Sequence, residues 1–282
     1  MRHIPLWAGA VPLFAATSAF AQAQFITPSE GTRSVSATVI AKDDGVTNVN
    51  EEDSRRTYGF EDFNESLVLK ASDFPQYDDT HSHADSNGSG TETSSITGSS
   101  ISAEVTASAN GTTQSALSRG YATGNADFYL TFQLNRYARY VVAGDATADT
   151  TANVYGGSAS LVYIASLTTG VPVLSIDIGN TDADSVRRKG WLFPGPFTLQ
   201  GDVSALVDAK AGTAGTATAW WKMDIRFYCP SDYDTNGTVN LADRDAFLNA
   251  WNAGSLDADA DGNGVVNSTD RTTFLLAYGA GC

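Results

Sequence analysis

Two runs of oxygen-bearing side chains near the C-terminus repeat at a shift of 27 residues. The first is Asp232, Asp234, Asn236, Gly237, Thr238, Asn240 and Asp243; the second is Asp259, Asp261, Asn263, Gly264, Val265, Asn267 and Asp270. Acids or amides stand at loop positions 1, 3 and 5, Gly at 6, a backbone carbonyl is offered at 7, an amide at 9 and a carboxylate at 12. That is the spacing of a loop closing around a hard divalent cation, which takes six to eight oxygens at about 2.4 Å. Glycine at the sixth position allows the sharp turn such a loop needs. Position 8 is Val239 or Val266, an apolar residue able to pack the loops together, and it sets the register. A second loop begun at Asp257 would instead put Gly264 at position 8 and Ser268 at position 12. The implied ligands are two Ca2+, bound through Asp232, Asp234, Asn236, the Thr238 carbonyl, Asn240 and Asp243, and through Asp259, Asp261, Asn263, the Val265 carbonyl, Asn267 and Asp270. Residues 229–282 carry eight Asp against Arg244 and Arg271, a net charge of −6 that two Ca2+ bring to −2.

Each loop runs into a short amphipathic segment. Phe247, Leu248 and Trp251 in the first, and Phe274, Leu275 and Tyr278 in the second, recur at i, i+1 and i+4 and so share one helical face. These two faces are expected to meet. No entering helix precedes either loop: Cys229, Pro230 and Ser231 lead into the first, and Asn252 to Leu256 lead towards the second. A duplicated loop with only an exiting helix, and Asp rather than Glu at position 12, resembles the type I dockerin family over residues 229–282. The closing Gly281-Cys282 is similar to the Gly-Cys-ending dockerins of secreted bacterial proteins. The resemblance implies two bound Ca2+ and docking onto a cohesin-like protein outside the cell. Its partner contacts would fall at loop positions 10 and 11, here Leu241 and Ala242, then Ser268 and Thr269. The second pair is the family's hydroxyl pair; the first departs from it, so two equivalent docking faces do not follow.

Met1-Arg2-His3, an apolar run from Ile4 to Phe20 and small residues at Ala19, Ala21 and Ala23 read as a signal peptide over residues 1–23. Export places the only two cysteines, Cys229 and Cys282, where thiols oxidise, and one disulfide clasping residues 229–282 is expected. The alternative is a free terminal thiol for lipid or intermolecular linkage. The chain has 282 residues and a net charge of −15, which excludes nucleic-acid or anionic-lipid binding through a broad basic field. Nothing after residue 23 approaches the length of a membrane span, so no insertion is expected once the leader is removed.

Residues 24–228 carry a net −10 and apolar residues in alternation: Val35, Ala37, Val39; Ile101, Ala103, Val105; Phe128 to Leu134; Leu174, Ile176, Ile178; and Trp221 to Phe227. Alternation of this kind predicts half-buried strands, hence an all-β antiparallel sandwich, jelly-roll-like, with a β-solenoid or open sheet as the alternative. Turns are expected at Ala109-Asn110-Gly111, Gly144-Asp145, Tyr155-Gly156-Gly157, Thr169-Gly170, Gly179-Asn180 and Pro194-Gly195-Pro196, and at the basic run Arg187-Arg188-Lys189. Asp78 to Ser100, rich in Gly, Ser and Thr, reads as a long loop. Within it His81 and His83, beside Asp78, Asp79 and Asp85, are two imidazoles at the spacing of a strand metal site, or simply part of a solvated acidic loop.

Catalysis would need two opposed carboxylates. Glu61, Asp62, Glu65, Glu104, Asp127 and Asp177 are available, but spacing singles out no pair. Trp220, Lys222, Asp224, Arg226 and Tyr228 share the outer face of the last strand, which suits either sugar stacking or an ordinary sheet surface. Together these readings predict a secreted, non-catalytic sandwich at residues 24–228, displayed at the cell surface by a dockerin-like module at 229–282. The alternatives are a polysaccharide-binding or O-glycosyl-hydrolysing component recruited by the same module, and a calcium-stabilised structural or adhesion protein.

Overall fold

The computed structural model describes residues 24–43, 47–73, 84–114, 118–151, 155–170 and 172–281. Residues 1–23, where a signal peptide is expected, and Asp78, Asp79, His81, His83 and Cys282 lie outside the described residues. Twelve strands come first: β1 (Ile26–Asp43), β2 (Thr47–Tyr58), β3 (Phe63–Asp73), β4 (Ala84–Ile96), β5 (Ser100–Thr113), β6 (Arg119–Leu134), β7 (Ala138–Thr150), β8 (Tyr155–Ser166), β9 (Pro172–Gly179), β10 (Asp182–Leu192), β11 (Gly195–Lys210) and β12 (Ala214–Tyr228). Two helices follow, α1 (Leu241–Asn252) and α2 (Ser268–Ala280).

The strands form two six-stranded sheets, in the orders β2-β1-β6-β11-β8-β9 and β10-β7-β12-β5-β4-β3. Every pairing among them is antiparallel. The fold is the all-β antiparallel sandwich that the alternation predicts. From β5 onward the pairing is nested: β5 with β12, β6 with β11, β7 with β10, and β8 with β9. β4 and β3 extend the edge beyond β5, and β1 and β2 extend the edge beyond β6.

The alternating apolar residues line the core. Val35, Val39, Ile101, Val105, Leu134 and Trp221 are fully buried, and Phe128 meets Trp221 edge to face at 6.3 Å. Alanine and glycine fill many inward positions, which lets the sheets approach closely. A Cβ at Gly124 of β6 would sit 2.0 Å from the Ser89 carbonyl of β4, and one at Gly201 would lie 2.2 Å from the Trp221 ring. No larger residue fits there.

Three expectations change. The predicted loop at Asp78–Ser100 contains β4, whose inward residues are Ser86, Gly88, Gly90, Glu92 and Ser94 rather than the aliphatics that signal a strand. Ala109-Asn110-Gly111, Gly144-Asp145 and Tyr155-Gly156-Gly157 lie within β5, β7 and β8 and do not turn the chain; a Cβ at Gly111 would sit 2.7 Å from the Gly120 carbonyl, so glycine there serves close packing. Arg187, Arg188 and Lys189 are part of β10: Arg187 is held by Asp145 at 2.8 Å and Lys189 by Asp257 at 2.8 Å.

Helix α1 begins at the N-cap Asn240 and α2 at Asn267, each with a capping box closed by Asp243 or Asp270. The predicted faces do meet. Phe247 and Phe274 are fully buried and stack at 3.9 Å, with Leu248, Trp251, Leu275 and Tyr278 packed around them.

Candidate metal centre

The fold brings the acidic side chains of each repeat together. Carboxylate oxygens of Asp232, Asp234 and Asp243 lie within 4.8 Å of one another, and so do those of Asp259, Asp261 and Asp270. Asp257 belongs to neither group; it pairs with Arg139 at 2.9 Å and Lys189 at 2.8 Å. Burial and the two cations act oppositely on Asp257: desolvation raises its pKa, but Lys189 and Arg139 outweigh that and hold the carboxyl below its usual value.

One hydrogen-bond frame shapes both loops. Asp232 accepts from the Asn236 and Gly237 amides at 3.0 and 2.8 Å, as Asp259 accepts from those of Asn263 and Gly264 at 3.1 and 2.7 Å. Asp243 accepts from the Asp234 and Asn240 amides at 3.1 and 2.8 Å, as Asp270 does from those of Asp261 and Asn267 at 3.0 and 2.7 Å. Positions 4 and 6 adopt positive φ in both copies: Thr235 at 62° and Gly237 at 87°, Gly262 at 71° and Gly264 at 82°. Thr235 carries the steric cost there, whereas glycine does not.

The donor set fits a hard divalent cation. Asp232 and Asp243 are buried beside a third carboxylate. Desolvation first, then the charges of Asp243 and Asp234, raise the pKa of Asp232; Asp261 is raised in the same sense. Only part of the ninth-position expectation is visible. Asn240 Oδ1 accepts from the Ala242 amide at 2.7 Å and Nδ2 donates to the Thr238 carbonyl at 3.1 Å, with Asn267 equivalent at 2.7 and 3.2 Å. These amides cap helices, and a ninth-position residue often reaches its ion through water. Leu241, Ala242, Ser268 and Thr269 all stand exposed at the helix starts.

No protein-family model and no curated protein matches the chain. Solved structures give distant likenesses only. The enzymatically active domain of tailspike protein 4 of bacteriophage CBA120 is 13% identical with a TM-score of 0.18, covering 59% of this chain and 19% of its own. The infectious bursal disease virus structure of the Gx strain is 8% identical with a TM-score of 0.18, covering 71% and 57%; the VP2 subviral particle of that virus, also 8% and 0.18, covers 77% and 60%. The chain thus spans less than two thirds of each of these three, and similarity at this level carries no argument about fold or function.

The two helices and loops sit against the sandwich through residues the repeat did not reveal. Arg139, at the start of β7, is fully buried between the Tyr233 and Trp191 rings, 4.2 and 4.7 Å from their centroids. Its Nε donates to the Tyr233 carbonyl at 2.9 Å. Tyr137 stacks on Trp191 at 5.3 Å and donates to the Ala260 carbonyl, and Trp191 Nε1 donates to that of Asp257 at 3.2 Å. No cysteine among the described residues is free; Cys229 Sγ lies 3.2 Å from Ser231 Oγ, which donates to the Ala277 carbonyl of α2 at 3.2 Å.

The other candidate groups are scattered over both sheets, with Asp127 and Asp177 gathered about Asp202. Glu65 pairs with Arg55 at 2.9 Å. Glu104, on the outer face of one sheet, accepts from Trp220 Nε1 at 3.1 Å and pairs with Lys222 at 3.2 Å. Asp127 and Asp177 lie on the outer face of the other sheet, with Asp202 directly opposite Asp127. Asp202 is pushed up by burial, then by Asp127 and Asp177. Glu61 and Asp62 stand in the β2–β3 connection, where the Glu61 carbonyl accepts from Arg33.

Proposed function

We propose that this is an exported protein whose jelly-roll-like sandwich is displayed outside the cell by a dockerin-like module holding two Ca2+, which docks on a cohesin-like or other cell-surface protein. The carrying observation is that both carboxylate triads converge within one duplicated hydrogen-bond frame. The nested strand pairing supports the jelly-roll reading, and a disulfide from Cys229 to Cys282 would clasp the ends of the module. Asp232, Asp234, Asn236, the Thr238 carbonyl, Asn240 through water, and Asp243 would hold the first ion, and their counterparts Asp259, Asp261, Asn263, the Val265 carbonyl, Asn267 and Asp270 the second. Bound there, Ca2+ neutralises the clustered carboxylates and fixes the start of each helix. Calcium-dependent capture on envelope proteins of the source cell tests the docking role. Capture is expected to vanish with chelator and in a Ser268→Glu, Thr269→Lys double variant that still binds Ca2+; capture indifferent to both would contradict it.

A second reading has its own support. The module's residues Tyr233 and Asp257 enclose the buried Arg139 together with Trp191 of the sandwich, as they would if the loops served as a calcium-stabilised cap with no docking partner. Capture failing under every condition, with Ca2+ still raising the melting temperature, would favour this cap.

A further inference from the structure

Loop position 2 is not a ligand position, yet its carbonyl is fixed in both copies by the same stretch of the sandwich. In the first loop that atom is the Tyr233 carbonyl, which accepts from Arg139 Nε at 2.9 Å. In the second it is the Ala260 carbonyl, which accepts from the Tyr137 hydroxyl. The two donors are two residues apart at the mouth of β7, and they grip equivalent atoms of two loops related by the repeat. Each gripped residue stands between two acids that would carry the ion: Asp232 and Asp234, then Asp259 and Asp261. The grip is itself braced. Arg139 is enclosed by Trp191 and Tyr233 and paired with Asp257 at 2.9 Å. Tyr137 lies between Trp191 and Phe193, at 5.3 and 5.0 Å. Phe193 in turn covers Gly262, where a Cβ would lie 2.5 Å from its ring.

A flexible acidic loop must gather mutually repelling carboxylates before an ion arrives, and that ordering cost subtracts from affinity. A loop already held near its final shape binds more tightly. By linkage, the ion must then tighten the contact that holds the loop by the same factor.

Resting on the calcium reading above, we propose that Tyr137 and Arg139 are positioning residues for the two ion loops, so that Ca2+ affinity and the seating of the module on the sandwich are coupled. Tyr137 acts on the second loop and Arg139 on the first. The module therefore binds its ions as part of the sandwich and not as a freely tethered appendage.

Calorimetric titration of the full chain with CaCl2 tests this in two single-loop backgrounds, Asp234→Lys to silence the first loop and Asp261→Lys to silence the second. Tyr137→Phe removes one hydroxyl and keeps the stacked ring. It is expected to weaken binding roughly three- to tenfold where only the second loop is live, the worth of one hydrogen bond, and to leave the first loop unchanged. Phe193→Ala, at a position 44% exposed, is expected to act on the second loop in the same direction. Arg139→Lys keeps the charge but loses the planar fork, and is expected to weaken the first loop; if that variant does not fold, Tyr137→Phe decides alone. Unchanged second-loop affinity in folded Tyr137→Phe and Phe193→Ala overturns the proposal, and so does equal weakening of both loops by Tyr137→Phe. No heat in either background before any further substitution marks a different failure, that of the calcium reading itself.

Discussion

Glu92 sits on the inner face of β4 with no exposed surface, and neither carboxylate oxygen has a hydrogen-bond partner among the described residues. Burial pushes its pKa up to about 8, against the smaller opposing pulls of Ser94 and Arg33. Arg33, also buried, is spent on the Gly59 carbonyl at 2.8 Å and Ser94 Oγ at 3.1 Å. The folded chain therefore keeps a proton on Glu92 that the unfolded chain releases near pH 4.3. Stability is complete below that pH and falls as pH rises towards about 8, where the carboxyl ionises in the folded state as well. Glu92→Gln is expected to flatten this slope and to raise stability at pH 8 by on the order of a few kcal/mol. Urea unfolding at pH 5 and pH 8 measures it; parallel losses in both proteins would contradict the account. Sequence alone did not mark Glu92, because a lone acid among Ser and Gly has no pattern that distinguishes a core from a loop.

At the scale of elements, legibility followed locality. The gathering of the acidic side chains was readable because residue type, spacing and the glycine at position 6 all lie within twelve residues, and the helix faces were readable because Phe247 and Phe274 recur in phase with them. β4 was not readable, because its inward side is built of Ser86, Gly88, Gly90 and Ser94, whose use is to let a facing strand approach and not to supply apolar surface. That role predicts a steep cost for added volume. Gly124→Ala would drive a Cβ into the Ser89 carbonyl and is expected to destabilise the sandwich by about 3 kcal/mol or more. A denaturation midpoint equal to that of the parent would show that the sheets can separate freely there. In the helices, Asp270 both closes a capping box and faces the second acidic triad. Asp270→Ala is expected to cost about 1 kcal/mol without Ca2+ through the lost cap, and more with it. Thermal melts with and without Ca2+ separate the two effects, and an identical loss in both would remove Asp270 from the ion's ligands.

Across the whole molecule, the feature the sequence concealed is the seat between sandwich and module. Tyr137 and Arg139 come from one segment, Trp191 and Phe193 from another, and Tyr233 and Asp257 from the C-terminal loops; only the folded chain puts them side by side. The basic run at Arg187 to Lys189 shows the same limit, since its charge suggests a solvated turn until β10 brings Lys189 to Asp257. If seat and ions are linked, chelation should expose this region. Chain cleavage by a protease near residues 229–231 is expected to quicken severalfold in chelator, and equal rates with and without Ca2+ would argue against the linkage.

The docking role and the linked seat depend on the loops holding metal. Equilibrium dialysis of the full chain against CaCl2, followed by elemental counting, measures that most directly. Two Ca2+ per chain are expected, falling to one in Asp234→Lys or Asp261→Lys alone and to none with both. A parent protein that retains no Ca2+ above the dialysis buffer would contradict the account.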